Sequence, residues 1–292
     1  MTLSQLFENP EYTNLTNWAD VELPDSWVDE RLAGSLWQKL SVIASLPGAH
    51  KKKVVLPAGL PGRHAIPAYV LLPYHNLPNG NYSKRISHGY ITGFDKVMLN
   101  ETVRLRQRMA EQFRGCESVL DVGCGGGKLA GALLAEGVRN VWGLDPSPYL
   151  LQHAATSWPA AHFVQGVVER LDFDDNSLDG VGAFFLFHEL PPKAFQQGLD
   201  DIYRVLKPGG RVVFCEPSKL QYEASLGALT RQFGWRGLYF GLLARRVYEP
   251  FIKAWHRTDV TAALRQAGFE QILCETSMPA TFYMAHKRTN VD

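Results

Sequence analysis

The segment Asp121-Val-Gly-Cys-Gly-Gly-Gly127 constrains this chain most. It ends a short apolar run, Ser118–Val122, and opens a run, Lys128–Glu136, that places Leu129, Leu133 and Leu134 on one helical face before Gly137 as a C-terminal cap. Glycines between a strand and a helix permit a tight turn and let the backbone approach a ligand closely. A chain built this way is expected to hold a ligand where a strand hands over to a helix.

The same alternation continues downstream. Val141–Leu144, Ala161–Gln165, Gly180–Phe185 and Arg211–Cys215 read as strands, and Ser147–Ser157 as a helix. Phe195, Leu199, Ile202, Tyr203 and Leu206 fit a helical period from Pro192 to Leu206, with Pro192 in its first turn and Pro208-Gly209-Gly210 ending it. Strands alternating with helices predict an α/β, Rossmann-like, doubly wound sheet that is mostly parallel. A helix over Thr258–Gln266, then Gly268 and the runs Gln271–Cys274 and Thr281–Ala285, predicts a closing hairpin whose last strand is antiparallel.

Residues 1–114 read as an N-terminal extension that caps a substrate, and 115–292 as the ligand-binding core. Within the extension, Val28, Leu32, Leu36, Leu40 and Ile43 predict one helix over Trp27–Ser45, and Asp95–Phe113 reads as a second. Lys51-Lys-Lys53 reads as a solvated charge run, and the Pro- and Gly-punctuated Leu56–Gly80 as irregular chain. The core carries an insertion, residues 218–257, in which Phe233, Trp235, Tyr239, Phe240, Phe251 and Trp255 alternate with arginines. It is expected to be a helical lid.

A formal net charge of +1 gives no electrostatic reason to expect nucleic acid. Four cysteines without a CxxC pair suit reduced thiols in a cytoplasmic protein. Met1–Pro10 lacks an apolar signal core, and no apolar run approaches the roughly 20 residues of a spanning helix. The expectation is a soluble protein, although the insertion could rest on a membrane surface. Nothing in the sequence sets an oligomeric state.

Three ligand classes compete for the glycine turn. A P-loop needs glycine where Val122 stands and Ser or Thr where Leu129 stands. A dinucleotide fingerprint begun at Gly125 ends acceptably at Ala130, with Asp145 20 residues after that first glycine. This register leaves an NAD-dependent oxidoreductase open. The third class is S-adenosylmethionine (SAM), whose sulfonium and ammonium groups suit an acid at the strand end. Asp121 would attract them and would repel a pyrophosphate.

Four segments resemble the class I SAM-dependent methyltransferases in order and spacing: Val119–Gly127, Gly143-Leu-Asp-Pro-Ser147, Gly166–Phe173 and Leu206-Lys-Pro-Gly-Gly-Arg211. They span about a third of the chain. Phe185-Leu-Phe-His-Glu-Leu-Pro191 is most similar to small-molecule enzymes of the ubiquinone/menaquinone C-methylating group. The resemblance implies SAM as cofactor, S-adenosylhomocysteine as product and a small, aromatic or lipid-like acceptor. It implies cofactor contacts from Asp121, Gly123, Cys124, Gly125, Asp145, Pro146, Val167, Val168, Phe185 and Tyr90. Asp145 would hold the ribose hydroxyls, the Val168 N–H would meet adenine, and Tyr90 or Phe94 would close over the ligand. Val167 departs from the family, which usually has an acid there; Gln165 or Glu169 would have to substitute. A non-catalytic SAM-binding protein is the remaining alternative.

His188 is the candidate catalytic base, at the end of the strand beside the first one. His188-Glu189 lacks a second histidine at position 192, and the nine histidines show no other metal-ligand spacing, so no metal is expected.

Overall fold

The computed structural model describes residues 16–45 and 53–289. Met1–Pro10, Lys51 and Lys52 lie outside them, so the expectations about a signal segment and most of the charge run fall outside the described residues.

A single sheet contains β1 (Ser118–Val122), β2 (Asn140–Asp145), β3 (His162–Gln165), β4 (Leu178–Phe184), β5 (Leu206–Pro217), β6 (Phe269–Thr276) and β7 (Ala280–Lys287). Its order is β3-β2-β1-β4-β5-β7-β6. The first five strands in that order are mutually parallel. β7 runs antiparallel to both β5 and β6, so the last strand is the one reversed member. Every residue of β1 is buried, as befits a central strand covered on both faces. The chain crosses from one half of the sheet to the other between β1 and β4, and ligands of such sheets sit outside the carboxyl ends there.

The helices are α1 (Trp27–Ala33), α2 (Leu36–Ser45), α3 (Lys84–Val97), α4 (Glu101–Glu111), α5 (Lys128–Ala135), α6 (Pro148–Ser157), α7 (Pro192–Val205), α8 (Leu226–Arg246), α9 (Ile252–Arg257) and α10 (Val260–Gln266). Local signals fix their ends. After α5, Gly137 takes φ 85°. Its N–H donates to Leu134 O (3.0 Å) and the Val138 N–H to Leu133 O (3.2 Å), a Schellman closure. The Asp259 side chain accepts from the Ala262 N–H (3.0 Å) and so starts α10 at Val260, two residues later than the sequence suggested.

Two single-helix expectations are corrected. Trp27–Ser45 breaks at Gly34 into α1 and α2. Val28 is buried, but Leu36 and Trp37 are 69% and 81% exposed, so the apolar stripe does not continue as a packed face. The Asp95–Phe113 pattern is split between α3, which starts eleven residues earlier at Lys84, and α4. Leu99 and Asn100 at the joint have φ 52° and 60°. The expected end of α7 at Pro208-Gly-Gly also shifts: the helix stops at Val205, and β5 already begins at Leu206.

The extension packs onto α6. Leu23, Val54, Leu60, Ile66 and Tyr82 surround Tyr149. Tyr149 Oη donates to Pro24 O (2.7 Å) and Gln152 Nε2 to Val21 O (2.6 Å). The insertion is helical, with a bend in α8 at Gly234 (φ 63°). It is tied to the α3–α4 joint by Tyr239 Oη donating to Val97 O (2.7 Å) and by an Arg236–Glu101 ion pair. Cys116, Cys124 and Cys215 are buried free thiols, and Cys274 is an exposed one. No helix among the described residues is long and apolar enough to cross a membrane.

Candidate active site

The glycine turn forms one wall of a cavity at the carboxyl ends of β1, β2 and β4. Asp121, Gly123, Cys124, Gly125, Asp145, Pro146, Phe185 and Tyr90 all line it, so eight of the ten expected cofactor residues are brought together. Gly125 has φ 52°, and a Cβ there would project into open space. A larger residue would therefore be strained and would occupy the cradle itself.

Two buried acids face this cradle. Asp145 accepts the N–H groups of Gly125 (3.0 Å) and Ser147 (2.8 Å), one on each oxygen. This fixes the carboxylate and leaves a further lone pair on each oxygen for a pair of hydroxyls. Asp121 accepts the Ala130 N–H on Oδ2 (3.1 Å), while its buried Oδ1 has no partner. Burial pushes Asp121 up to about 8 and Asp145 to about 7. Asn81 Oδ1, also on the cavity wall, is a second buried acceptor without a partner. An unpaired acid and an unpaired amide oxygen fit a ligand carrying a cation and hydroxyl or amino donors, which is the chemistry of SAM.

Val167 and Val168 do not reach this wall. Val168 is buried against Gly198, and Val167 pairs across a turn with Arg170. Of the suggested substitutes, Gln165 donates through Nε2 to Pro146 O (3.0 Å) and Gly62 O (3.2 Å), while Glu169 accepts from Tyr69 Oη on Oε1 (2.6 Å) and keeps a buried Oε2 without a partner among the described residues.

Sequence reasoning missed Arg106 and Lys128, which do line the cavity. Both pair with Asp95: Arg106 Nη2 at 2.7 Å and Lys128 Nζ at 2.5 Å. Against burial, which raises it, these cations hold Asp95 down to about 2. The pair offers positive charge for a ligand carboxylate. Lys128 directly follows the glycine turn, and that position was the available signal; Arg106 on α4 had none.

A second cavity of about 420 Å³ adjoins the first and shares Tyr90, Phe94, Phe185 and Glu189 with it. Its wall is largely apolar: Leu77, Ile86, Val97 and Met98 from the extension face Leu243 and Val247 from the lid. Phe185 stands at the junction with φ 56°, a conformation that a bulky side chain holds only under constraint. The constraint includes its N–H bond to Cys215 O (2.9 Å) and stacking on Phe184 at 4.6 Å.

His188 lies at the end of this second cavity. Its Nδ1 is 2.6 Å from Glu216 Oε2, and its Nε2 is 3.7 Å from Glu249 Oε1. His75, stacked on Tyr90 at 5.3 Å, places Nε2 3.1 Å from Glu189 Oε1 and 3.8 Å from Glu249 Oε1. Burial alone would strip the His188 proton. The Glu249 and Glu216 carboxylates outweigh it and raise its pKa well above the usual imidazole value. His75 is raised as well, its burial outweighed by Glu189 and Glu249.

Comparison with known proteins agrees with this geometry. Residues 119–210 match the methyltransferase domain family. An uncharacterized methyltransferase of Synechocystis sp. is 34% identical over 156 residues, which cover 52% of this chain and 66% of that protein. A demethylmenaquinone methyltransferase of Chlorobaculum tepidum is 37% identical over 99 residues, covering 34% and 40% respectively. The chain thus spans just under two thirds of the first relative and less than half of the second. In fold it resembles phosphoethanolamine N-methyltransferase 2 of Haemonchus contortus, solved with SAM (TM-score 0.52, 16% identity, covering 73% of this chain and 59% of that one). The glycine turn, the sheet order and these similarities together identify residues 119–210 as a methyltransferase domain similar to those of SAM-dependent methyltransferases.

Proposed function

We propose that this protein methylates a small molecule with a largely apolar, aromatic or lipid-like body and one polar end. The observation that carries this reading is the apolar cavity of about 420 Å³ that shares Phe185 and Tyr90 with the cofactor cradle and ends at His188. Bound SAM supplies an electrophilic methyl group, displaced in line with S-adenosylhomocysteine as the other product.

The residues of the chain take separate parts. Asp121, with its unpaired Oδ1, faces the cationic end of the cofactor, and Asp145 the ribose hydroxyls. Arg106 and Lys128 hold its carboxylate. Residues from 75–98 and from 217–249 line the acceptor cavity with largely apolar side chains, which favours a step that disperses positive charge. His188 was expected to take a proton as a neutral imidazole. Its flanking carboxylates favour the imidazolium, so we assign His188 together with Glu249 the holding and passing of one proton at the acceptor's polar end.

The similarity to a demethylmenaquinone methyltransferase supports a quinol-like acceptor. The test is an assay of methyl-labelled SAM against a panel of apolar phenols and quinols beside polar amines and amino acids. The account expects label in the apolar set; label in the polar set alone overturns it.

A further inference from the structure

We propose that His75, His188 and Glu249, which all line the acceptor cavity, bind a divalent transition-metal ion there. One donor atom from each residue lies within 4.8 Å of the others. The three come from separate segments: the turn before α3, the loop after β4 and the lid. No motif spacing in the sequence could have joined them, which is why no metal was expected from it.

Glu249 Oε1 is the shared point, 3.7 Å from His188 Nε2 and 3.8 Å from His75 Nε2. Around an ion bound at about 2.0–2.2 Å, neighbouring donors sit about 3–3.5 Å apart. A contraction of a few tenths of an ångström closes the two Glu249 contacts, and the donor atoms as a group, within 4.8 Å of one another, draw together further around the ion. Glu189 Oε1, 3.1 Å from His75 Nε2, stands outside this group of three and, among the described residues, pairs with His75 alone.

The surroundings are those of a metal site rather than a simple ion pair. Glu216 takes His188 Nδ1 at 2.6 Å, an arrangement in which a carboxylate fixes the tautomer and turns Nε2 toward the ion. Glu216 is itself immobilised by the N–H groups of Leu186 (3.1 Å), Phe187 (2.8 Å) and His188 (3.2 Å). Tyr222 Oη donates to Glu249 Oε2 (3.2 Å), leaving Oε1 for coordination. His75 lacks a partner on Nδ1 among the described residues; its ring stacks on Tyr90, and its backbone N–H donates to Tyr248 O (3.0 Å). Three carboxylates around two imidazoles leave negative charge in excess, which a dication neutralises. Two imidazoles and one carboxylate select zinc, iron, cobalt or manganese over calcium and magnesium. Metal binding displaces the proton that His188 and Glu249 share in the metal-free protein; the metal's role, to hold the acceptor's oxygen beside the methyl donor in that proton's place, rests on the function proposed above, whereas its binding does not.

The test uses chelator-stripped protein titrated with Co²⁺, whose visible absorption reports its ligands, with circular dichroism confirming the fold of each variant. One equivalent is expected to bind. His75→Gln and Glu249→Gln each weaken binding by at least about 100-fold, and Glu216→Gln weakens it by about 10- to 100-fold. His153→Gln, in the separate His88–His153 pair with ring centroids 5.2 Å apart, leaves it unchanged. Failure of Co²⁺ to bind at millimolar concentration, or binding that survives both His75→Gln and Glu249→Gln, overturns the site. Co²⁺ binding as expected, with no apolar molecule methylated, overturns the function and leaves the site standing. Methylation at full rate by stripped protein that binds no Co²⁺ does the reverse.

Discussion

His188 Nδ1 and Glu216 Oε2 lie 2.6 Å apart with both side chains buried, and the same carboxylate accepts three backbone N–H groups of the loop that carries His188. Glu216, at the end of β5, therefore anchors the whole turn after β4. Removing one partner of a buried charged pair leaves the other uncompensated. Glu216→Ala is expected to lower stability by about 3–5 kcal/mol in urea unfolding. A loss below about 1 kcal/mol would mean that the loop is held by something else.

If Asp121 faces the cationic end of the cofactor as proposed, cofactor affinity is expected to depend on pH. Its native pKa of about 8 lies above the ordinary 3.8, so the folded protein holds a proton that the unfolded chain releases. The associated stability is full below about pH 4 and is lost as pH rises through 8. A cationic ligand displaces that proton, so SAM affinity should rise with pH from about 6 to 9 by calorimetry. Asp121→Asn should flatten the dependence. A flat profile in the unmodified protein would place the cation away from Asp121.

Asp145→Ala should weaken SAM binding by about 10- to 100-fold, the range for losing hydrogen bonds to a charged group. Leu243 offers the converse. Leu243→Gln puts an amide on the apolar wall of the second cavity, and is expected to raise the acceptor KM about 10-fold or more while leaving SAM affinity unchanged. Equal effects on both ligands would mean that the two cavities do not divide the substrates.

In the metal-free protein, the proton proposed on His188 is expected to give the turnover a signed pH profile. Because the flanking carboxylates raise its native pKa, the charged form persists above the ordinary value of about 6.5, and its contribution to stability fades only as pH rises through the native value. The kcat should hold across neutrality and fall on the alkaline side, and His188→Asn should remove that limb. A kcat that instead climbs as pH passes about 6.5 would assign His188 as a neutral base.

The core was legible because local chemistry marks several of its strand and helix ends. Gly123–Gly127, Gly137 and Asp259 mark boundaries by local chemistry that needs no tertiary context. The extension was less legible. The period of Leu36, Leu40 and Ile43 is helical, but nothing in it reveals that Gly34 breaks the helix or that the face stays exposed. In the site, Asp121 and Asp145 could be read because the family pattern places them beside strands. His75 and Glu249 could not, since they reach His188 from irregular chain far away in sequence. Arg106 carried no signal in the sequence; its guanidinium lies over the Phe184 ring, 5.1 Å from the centroid, at the cavity wall.

The central claim, transfer from SAM to an apolar acceptor, is tested most directly by one measurement. The protein is incubated with SAM carrying a trideuterated methyl group and an organic-solvent extract of small molecules, and the products are followed by mass spectrometry. The account predicts a trideuteromethyl group on an apolar small molecule together with an equal amount of S-adenosylhomocysteine. Label found only on water-soluble, charged compounds or on macromolecules would contradict it.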